Sequence, residues 1–160
     1  MSMIIDGTNG LTFNNATTQA SAGVILQVVS SVYSTAVSSN TTTLADTGLS
    51  ATITPKFSTS KILVLVSHGQ NWKSSGNASN GITFKLLRGS TTILNPTNYA
   101  GGTDSAVGNY FTVAFNYLDS PATTSTTTYK TQFANFTAAS TVVVQSGNLD
   151  STITLIEVAA

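Results

Sequence analysis

One short segment, SHGQNWK at residues 67–73, gathers three side chains that could do chemistry. His68 can exchange a proton near neutral pH, Lys73 carries a positive charge, and Trp72 offers a flat apolar ring. Together they could form a patch that faces a ligand. His68 also ends an apolar run, where a lone histidine is more often a structural residue, so a purely structural role is the alternative.

Catalysis needs more than this segment supplies. General acid and base chemistry requires two carboxylates in one cleft, whereas the acidic residues here are scattered singly. The sequence has no G-x-S-x-G turn, no H-E-x-x-H motif and no phosphate-binding G-x-x-x-x-G-K loop. With no cysteine and one histidine, neither the commonest zinc sites nor a multi-histidine metal site is expected. We therefore expect no enzyme, no metal and no cofactor. The acidic residues are Asp6, Asp46, Asp104, Asp119, Asp150 and Glu157.

Two polar stretches, residues 69–81 and 95–108, are rich in Gly, Asn and Ser, a composition typical of exposed loops. Each contains one aromatic residue, Trp72 or Tyr99, and aromatic side chains on loops are a common recognition device. With so few charges nearby, stacking and hydrogen bonds to a neutral glycan are the expected contacts. The alternative is that each ring folds back on its own domain as a lid. The candidate receptor contacts are Asn71, Trp72, Lys73, Asn98 and Tyr99.

The composition limits the partners of the chain. Its 160 residues fit one domain, and 41% are hydrophobic while only 8% are charged. Six basic residues balance six acidic ones, so we expect no binding to nucleic acid or to a membrane surface. The first residues lack the basic and apolar regions of a cleaved signal, and no segment approaches the roughly 18 apolar residues of a membrane span.

The spacing of apolar residues predicts an all-β fold. They alternate or run continuously and do not repeat every 3.6 residues. Gly89-Ser90 can supply the turn of a hairpin. The predicted strands cover residues 24–33, 41–57, 61–68, 81–89, 91–94, 108–119, 126–136, 140–147 and 151–159. About eight strands at this spacing predict one antiparallel β-sandwich, jelly-roll-like, over residues 24–160, preceded by an extended arm over residues 1–23.

Two strands carry further expectations. The run KILVLVSH at residues 61–68 predicts a strand that is buried on both faces. The strand at 108–119 alternates, so that one face carries its large apolar side chains and should point to the core. That face consists of Phe111, Val113, Phe115 and Tyr117.

The first 23 residues carry a resemblance to known proteins. IIDGTNGLTFNNATTQASAG, residues 4–23, resembles a segment that recurs in tail-fibre and other virion proteins of tailed bacteriophages, where Asn-Gly-Ile/Leu-x-Phe is followed by Thr-Thr-Gln. This copy has Asn14-Asn15-Ala16 where Pro-Asp-Gly is commoner. The rest of the chain is similar to small β-sandwich domains of the same phage proteins, through ADTGLSATITPKFSTSKILVLVS, FKLLRGSTTI, YLDSPATTSTTTYKTQF and STITLIEVAA.

The resemblance implies a place for the protein. It implies a jelly roll akin to the trimeric heads of the tumour-necrosis-factor and complement C1q group. It also implies a location on the exterior of the virion, after synthesis in the host cytoplasm, with other capsid or tail proteins as partners.

The arm has apolar side chains that it cannot bury alone. Three copies wound together, or one copy laid on a neighbouring virion protein, could cover them. The arm is therefore interpreted as an anchor or a trimer stem, through Ile4, Ile5, Leu11 and Phe13. The alternative is that residues 3–14 form an edge strand of the sandwich.

Two functions remain open at this stage. The first is a homotrimeric short tail fibre or fibre tip whose distal loops contact host glycans. The second is a capsid decoration, or cement, protein that binds the shell through its arm. A polysaccharide-degrading spike is a remote third, because it would need a carboxylate pair. For the trimer, the candidates near the threefold axis are Phe84, Phe111, Phe115, Tyr117, Tyr129 and Phe133.

Overall fold

A computed structural model describes residues 25–159 and, before them, the backbone of three short strands. These are β1 (Ile4–Asp6), β2 (Gly10–Thr12) and β3 (Thr18–Gln19), which pair antiparallel in a sheet of their own. Ile5 lies opposite Leu11 in this sheet. Phe13 and the side chains of the other three anchor candidates lie outside the described part of the chain.

The rest of the described chain is a β-sandwich. Its strands are β4 (Ile25–Tyr33), β5 (Val37–Ser39), β6 (Ala45–Ile53), β7 (Lys61–Lys73), β8 (Ile82–Arg88), β9 (Thr91–Ala100), β10 (Asn109–Asp119), β11 (Thr127–Asn135), β12 (Val142–Val144) and β13 (Ser151–Val158). A single 3₁₀ turn (Ser146–Asn148) precedes β13. In the described ranges no helix is long and apolar enough to cross a bilayer.

The strands form two antiparallel sheets. In the first sheet β13 lies between β4 and β7, and β10 pairs with the other edge of β7. The short strands β12 and β5 extend this sheet beside the end of β7. The second sheet has the order β6-β11-β8-β9. Counted in chain order, the eight long strands form one sheet in the order first, eighth, third, sixth (β4-β13-β7-β10) and another in the order second, seventh, fourth, fifth (β6-β11-β8-β9). This arrangement is jelly-roll connectivity. The predicted all-β sandwich is confirmed.

Alternation of side chains builds the core. In β13 every second residue from Ser151 to Glu157 is buried. The large side chains of β10 face inward, as predicted, and Phe111, Val113, Phe115 and Tyr117 pack against the buried clusters. The larger of these clusters contains Leu49, Ile53, Ile62, Val64, Leu86, Tyr129, Ile153 and Leu155, and the smaller contains Ile82, Phe84, Phe133, Val142 and Val144.

Two strands are longer than predicted, so the loops are shorter. β7 continues to Lys73 and β9 continues to Ala100, which leaves loops at residues 74–81 and 101–108. Pro96 is tolerated inside β9 because this strand pairs only with β8 and lies at the sheet edge. The Gly89-Ser90 hairpin is confirmed, with Gly89 at a φ of 59° and Arg88 opposite Thr91.

The strand β7 is buried on one face only within this chain. Ile62, Val64 and Val66 lie in the core, whereas Leu63 is half-buried and Leu65 is 39% exposed on the opposite face. The prediction of burial on both faces is therefore wrong for the single chain. The reason is that no described element packs over the outer face of the first sheet, so alternate leucines of the run face solvent.

The register defines two ends of the sandwich. At the proximal end Ile25, where the described sandwich begins, lies opposite Val158, which in turn lies opposite Lys61. At the distal end Lys73 lies opposite Asn109. Because β7 ends and β10 begins there, the loops 74–81 and 101–108 both extend from the distal end.

Candidate functional site

Asn71 and Lys73, two of the proposed receptor contacts, are fully buried. The Lys73 ammonium donates hydrogen bonds to the carbonyl oxygens of Ser105, at 3.0 Å, and of Asn77, at 3.5 Å. The Asn71 amide donates to the carbonyl oxygen of Phe111 at 3.3 Å. Their prediction as ligand contacts is thereby corrected. Lys73 instead ties together the two distal loops, and Asn71 fixes β10 against β7.

A β-bulge in β7 determines which of these side chains face inward. Phe111 lies opposite Asn71 while Val113 lies opposite His68, so Gly69 and Gln70 together face the single residue Thr112. The extra residue reverses the alternation beyond it. Lys73 and Asn71 therefore turn inward, although they would face outward if the alternation set by Leu63 and Leu65 continued. Trp72 turns outward for the same reason.

Tyr99 is held by its own chain. Its hydroxyl donates to the carbonyl oxygen of Ala78 at 2.9 Å, and its ring meets Phe136 edge to face with centroids 4.9 Å apart. The ring leaves so little room over Gly102 that a Cβ added there would lie 2.0 Å from it. This geometry fits the lid interpretation of Tyr99. Its neighbour Asn98 is exposed and accepts a hydrogen bond on its backbone oxygen.

Trp72 occupies a different place, on the outer face of the first sheet. It lies directly opposite Tyr110, and the two rings are nearly parallel, with an interplanar angle of 24° and centroids 6.2 Å apart. Trp72 is half-buried, whereas Tyr110 is 60% exposed. Tyr110 is thus the accessible ring of this pair. The alternation in its strand predicted only that Tyr110 lies on the face that points away from the core.

His68 is a structural residue at the centre of the sandwich. It is fully buried, and its Nε2 lies 3.1 Å from the Thr131 hydroxyl, which in turn lies 2.6 Å from that of Thr47. The Gln145 amide lies 3.3 Å from its Nδ1. This polar chain crosses between the sheets, between the two apolar clusters. Because burial disfavours the imidazolium, the pKa of His68 is lowered to about 4.

The six aromatic candidates for the threefold axis face inward. Phe84, Tyr129 and Phe133 have no exposed surface and lie in the core of the single chain, so these three cannot line an interface. Phe111, Phe115 and Tyr117 are half-buried, on the inner face of β10. Strand β10 pairs only with β7 among the described strands, so its other edge is unpaired.

The outer face of the first sheet carries an apolar surface that sequence reasoning did not assign. Val28 lies opposite Ile156, Ile156 opposite Leu63, and Leu63 opposite Leu118, so one apolar residue from each of four strands forms a continuous line, the apolar row. Val28 is 56% exposed and Leu118 is 51% exposed. In the sequence, the only indication of this apolar surface was the pair of alternate leucines in KILVLV, residues 61–66.

Charges are almost absent from this face. Among the outward positions of β4, β13, β7 and β10, all of which the structure describes, only Lys61 is charged. Ile25, which is 60% exposed, and Val158 extend the apolar surface at the proximal end. Towards the distal end the outward positions are mixed, with Ser67 opposite Thr152 and Thr152 opposite Val32, which is 57% exposed. The apolar row that runs unbroken across four strands therefore lies in the proximal half.

Three carboxylates of the described sandwich, those of Asp46, Asp119 and Glu157, lie apart in separate structural contacts. Asp119 is buried and accepts hydrogen bonds from Tyr129, at 2.7 Å, and from Arg88, at 2.8 and 3.0 Å. Asp46 pairs with Lys130 at 2.8 Å on the surface. Glu157 is buried and accepts hydrogen bonds from Gln27 and from a backbone N–H. Within the described residues no three His, Cys, Asp or Glu side chains come together as a metal site.

The fold defines the class of protein, a jelly-roll β-sandwich. No protein-family model matches the sequence, and no curated protein matches it. Among solved structures, the VP2 subviral particle of infectious bursal disease virus is similar to it, with 12% sequence identity and a TM-score of 0.49. The similarity covers 82% of this chain and 32% of the VP2 chain.

Proposed function

We propose that this chain is a non-enzymatic structural protein of a tailed-bacteriophage virion, assembled as a homotrimer on the particle exterior. The observation that carries the assembly is the uncovered, nearly uncharged outer face of the first sheet. The resemblance of residues 4–23 to recurrent phage virion segments supports the location. The jelly-roll fold and the charge-poor composition are compatible with both.

A second copy of the same chain is the occupant that this face fits best. A charged partner would find almost no complementary groups, because Lys61 is the only charge on the outward positions of the four strands. Burying apolar surface contributes about 25 cal/mol per Å² removed from water. The exposed side chains of the apolar row and of Ile25 therefore favour a dry contact between copies. In a closed symmetric assembly each copy contacts its neighbours in the same way, so this face is covered in every copy.

The assembly has a direct test with a matched pair of valines. Val28 is 56% exposed in the apolar row and Val107 is 55% exposed on a distal loop. We expect the native chain to scatter light as about three times 16.5 kDa. The Val28→Lys substitution should dissociate it, because burying an unpaired ammonium costs several kcal/mol, whereas Val107→Lys should leave the mass unchanged. A native monomer at micromolar concentration would refute the assembly, as would a trimer that tolerates Val28→Lys.

The N-terminal arm is proposed as the contact with the rest of the virion. The β1–β3 sheet pairs only with itself among the described strands, so its removal leaves the sandwich sheets intact. Deleting residues 1–22 should lower the melting temperature of the sandwich by no more than a few degrees and abolish incorporation into particles. Circular dichroism and mass spectrometry of purified particles measure the two effects. Incorporation of the truncated chain at the native level would remove the anchoring role.

A fibre tip is the finer role that we propose. Its support is geometric, since the distal loops extend from the end of the sandwich opposite to Ile25, where the arm joins. Labelling intact particles with an antibody against the sandwich distinguishes the roles. Labels at the tail support the fibre, whereas labels spread over the shell would replace it with capsid decoration.

A further inference from the structure

A shallow depression lies at the distal end of the first sheet, on the same outer face as the apolar row. Its volume is about 750 Å³, and its lining includes Gln70, Tyr110, Thr112, Leu149 and Asp150. This volume is within the range of small-ligand sites. None of these five residues was among the candidate contacts predicted from the sequence.

The β-bulge shapes this depression. It places Gln70 and Gly69 opposite Thr112 and turns the strand. The chain at Asp150 passes so close to Gly69 that a Cβ added to the glycine would lie 2.3 Å from the Asp150 carbonyl oxygen. Gly69 therefore allows the segment Leu149-Asp150 to close against β7 and form one wall of the depression.

The lining combines one flat apolar surface with uncommitted polar groups. The Tyr110 ring is 60% exposed and is supported from the side by Trp72, and Leu149 is 50% exposed. Within the described residues the side chains of Gln70, Thr112 and Asp150 form no hydrogen bond to any other group. An amide, a hydroxyl and a carboxylate are thus left to bind a ligand around an accessible ring.

We infer that this depression binds a neutral saccharide. The C–H face of a sugar ring stacks on an aromatic side chain, while its hydroxyl groups donate to a carboxylate such as Asp150 and exchange hydrogen bonds with amides such as Gln70. An anionic ligand is disfavoured by Asp150, since no basic residue lines the depression. The surroundings are polar enough that a purely apolar ligand would leave these groups unpaired.

The location of the depression is compatible with the proposed trimer. The depression is accessible only if the copies contact each other through the proximal apolar row, so this inference rests on the proposed function. Tyr110 is eight residues from Leu118 along β10, which corresponds to about 26 Å. The proximal apolar row can therefore be covered by a second copy while the distal depression stays open. Three copies would present three weak sites, and their combined avidity would compensate for modest affinity at each.

Trp72 provides the test, because it is the only tryptophan of the chain and stacks beside Tyr110. The probes are the methyl glycosides of glucose, galactose, mannose and N-acetylglucosamine, with tetramethylammonium as a cationic comparison. We expect at least one glycoside to change the Trp72 emission saturably at millimolar concentration. The Tyr110→Ala substitution should weaken this binding by roughly tenfold or more, and Asp150→Asn should weaken it by a smaller factor.

Two controls keep the test specific. Tyr110→Phe preserves the ring and should retain most of the binding, and Phe57→Ala removes a ring that is 55% exposed near the proximal end and should change nothing. Saturation by no glycoside, an unaltered affinity in Tyr110→Ala, or a response to tetramethylammonium alone would overturn the inference. Light scattering on the same samples separates the two proposals, since a trimer that binds no glycoside refutes only the saccharide site and a monomer that binds refutes only the assembly.

Discussion

Replacing Asp119 with alanine is expected to lower the free energy of unfolding by about 3 to 5 kcal/mol. The Asp119 carboxylate is buried and joins Tyr129 and Arg88, which belong to the second sheet, to the edge strand of the first. Removing it leaves the Tyr129 hydroxyl without its acceptor inside the core and the Arg88 guanidinium without its counter-charge. Urea unfolding at fixed chain concentration measures the loss.

Asp46 supplies the matched control for this experiment. It forms an ion pair of the same 2.8 Å length, with Lys130, but its side chain is 52% exposed. Exposed pairs contribute about 0 to 1 kcal/mol, so Asp46→Ala should have little effect. If the two alanine variants lost equal stability, the buried network would not be the connection between the sheets that its geometry indicates.

Acid is expected to destabilise the sandwich through His68. Its pKa is about 4 in the folded chain, because burial disfavours the charged imidazolium, and near 6.5 when unfolded. Between these values the unfolded chain binds a proton that the folded chain excludes. Stability is therefore fully present above pH 6.5 and falls as the pH drops towards 4. A difference of about 2.5 pH units corresponds to a loss on the order of 3 kcal/mol.

The histidine can be tested alone, because it is the only one in the sequence. His68→Gln should lose overall stability yet show an unfolding free energy that is nearly constant between pH 7 and pH 5. Glu157 contributes little to the change in unfolding free energy between pH 7 and pH 5. Burial opposes its ionisation, but the hydrogen bonds that it accepts outweigh burial and lower its pKa, so its own contribution is lost only at more acidic pH. An unchanged pH slope in the variant would contradict the assignment to His68.

Most of the fold could be predicted from the sequence because the strands obey simple alternation. In β10 every second residue is large and apolar, and these are the residues that face the core. The ends of β7 and β9 could not be predicted, because their polar residues look like loop residues to any local rule. Their strand character comes from hydrogen bonds to β10, β12 and β8, which lie elsewhere in the chain.

The candidate site could be predicted only in part, for a related reason. Trp72 was singled out by its polar surroundings, but whether it or Lys73 faces solvent depends on the register with β10, about forty residues later. The apolar row is also non-local, since Val28, Leu118 and Ile156 come from separate strands. Tyr110 was visible as an outward residue, yet the wall at Leu149-Asp150 that makes it part of a depression follows from the path of the chain over Gly69.

The extra residue in β7 lets the strand change length without changing which side chains face the core. Gly69 and Gln70 share one partner, so deletion of either would leave a regular ladder with β10. His68, Asn71 and Lys73 would still face inward and Trp72 would still face outward, because the segments on the two sides of the bulge are already in phase with β10. A single-codon deletion would instead remove one residue from the lining of the distal depression. Variation in length at this position can therefore remodel the depression while the core stays unchanged.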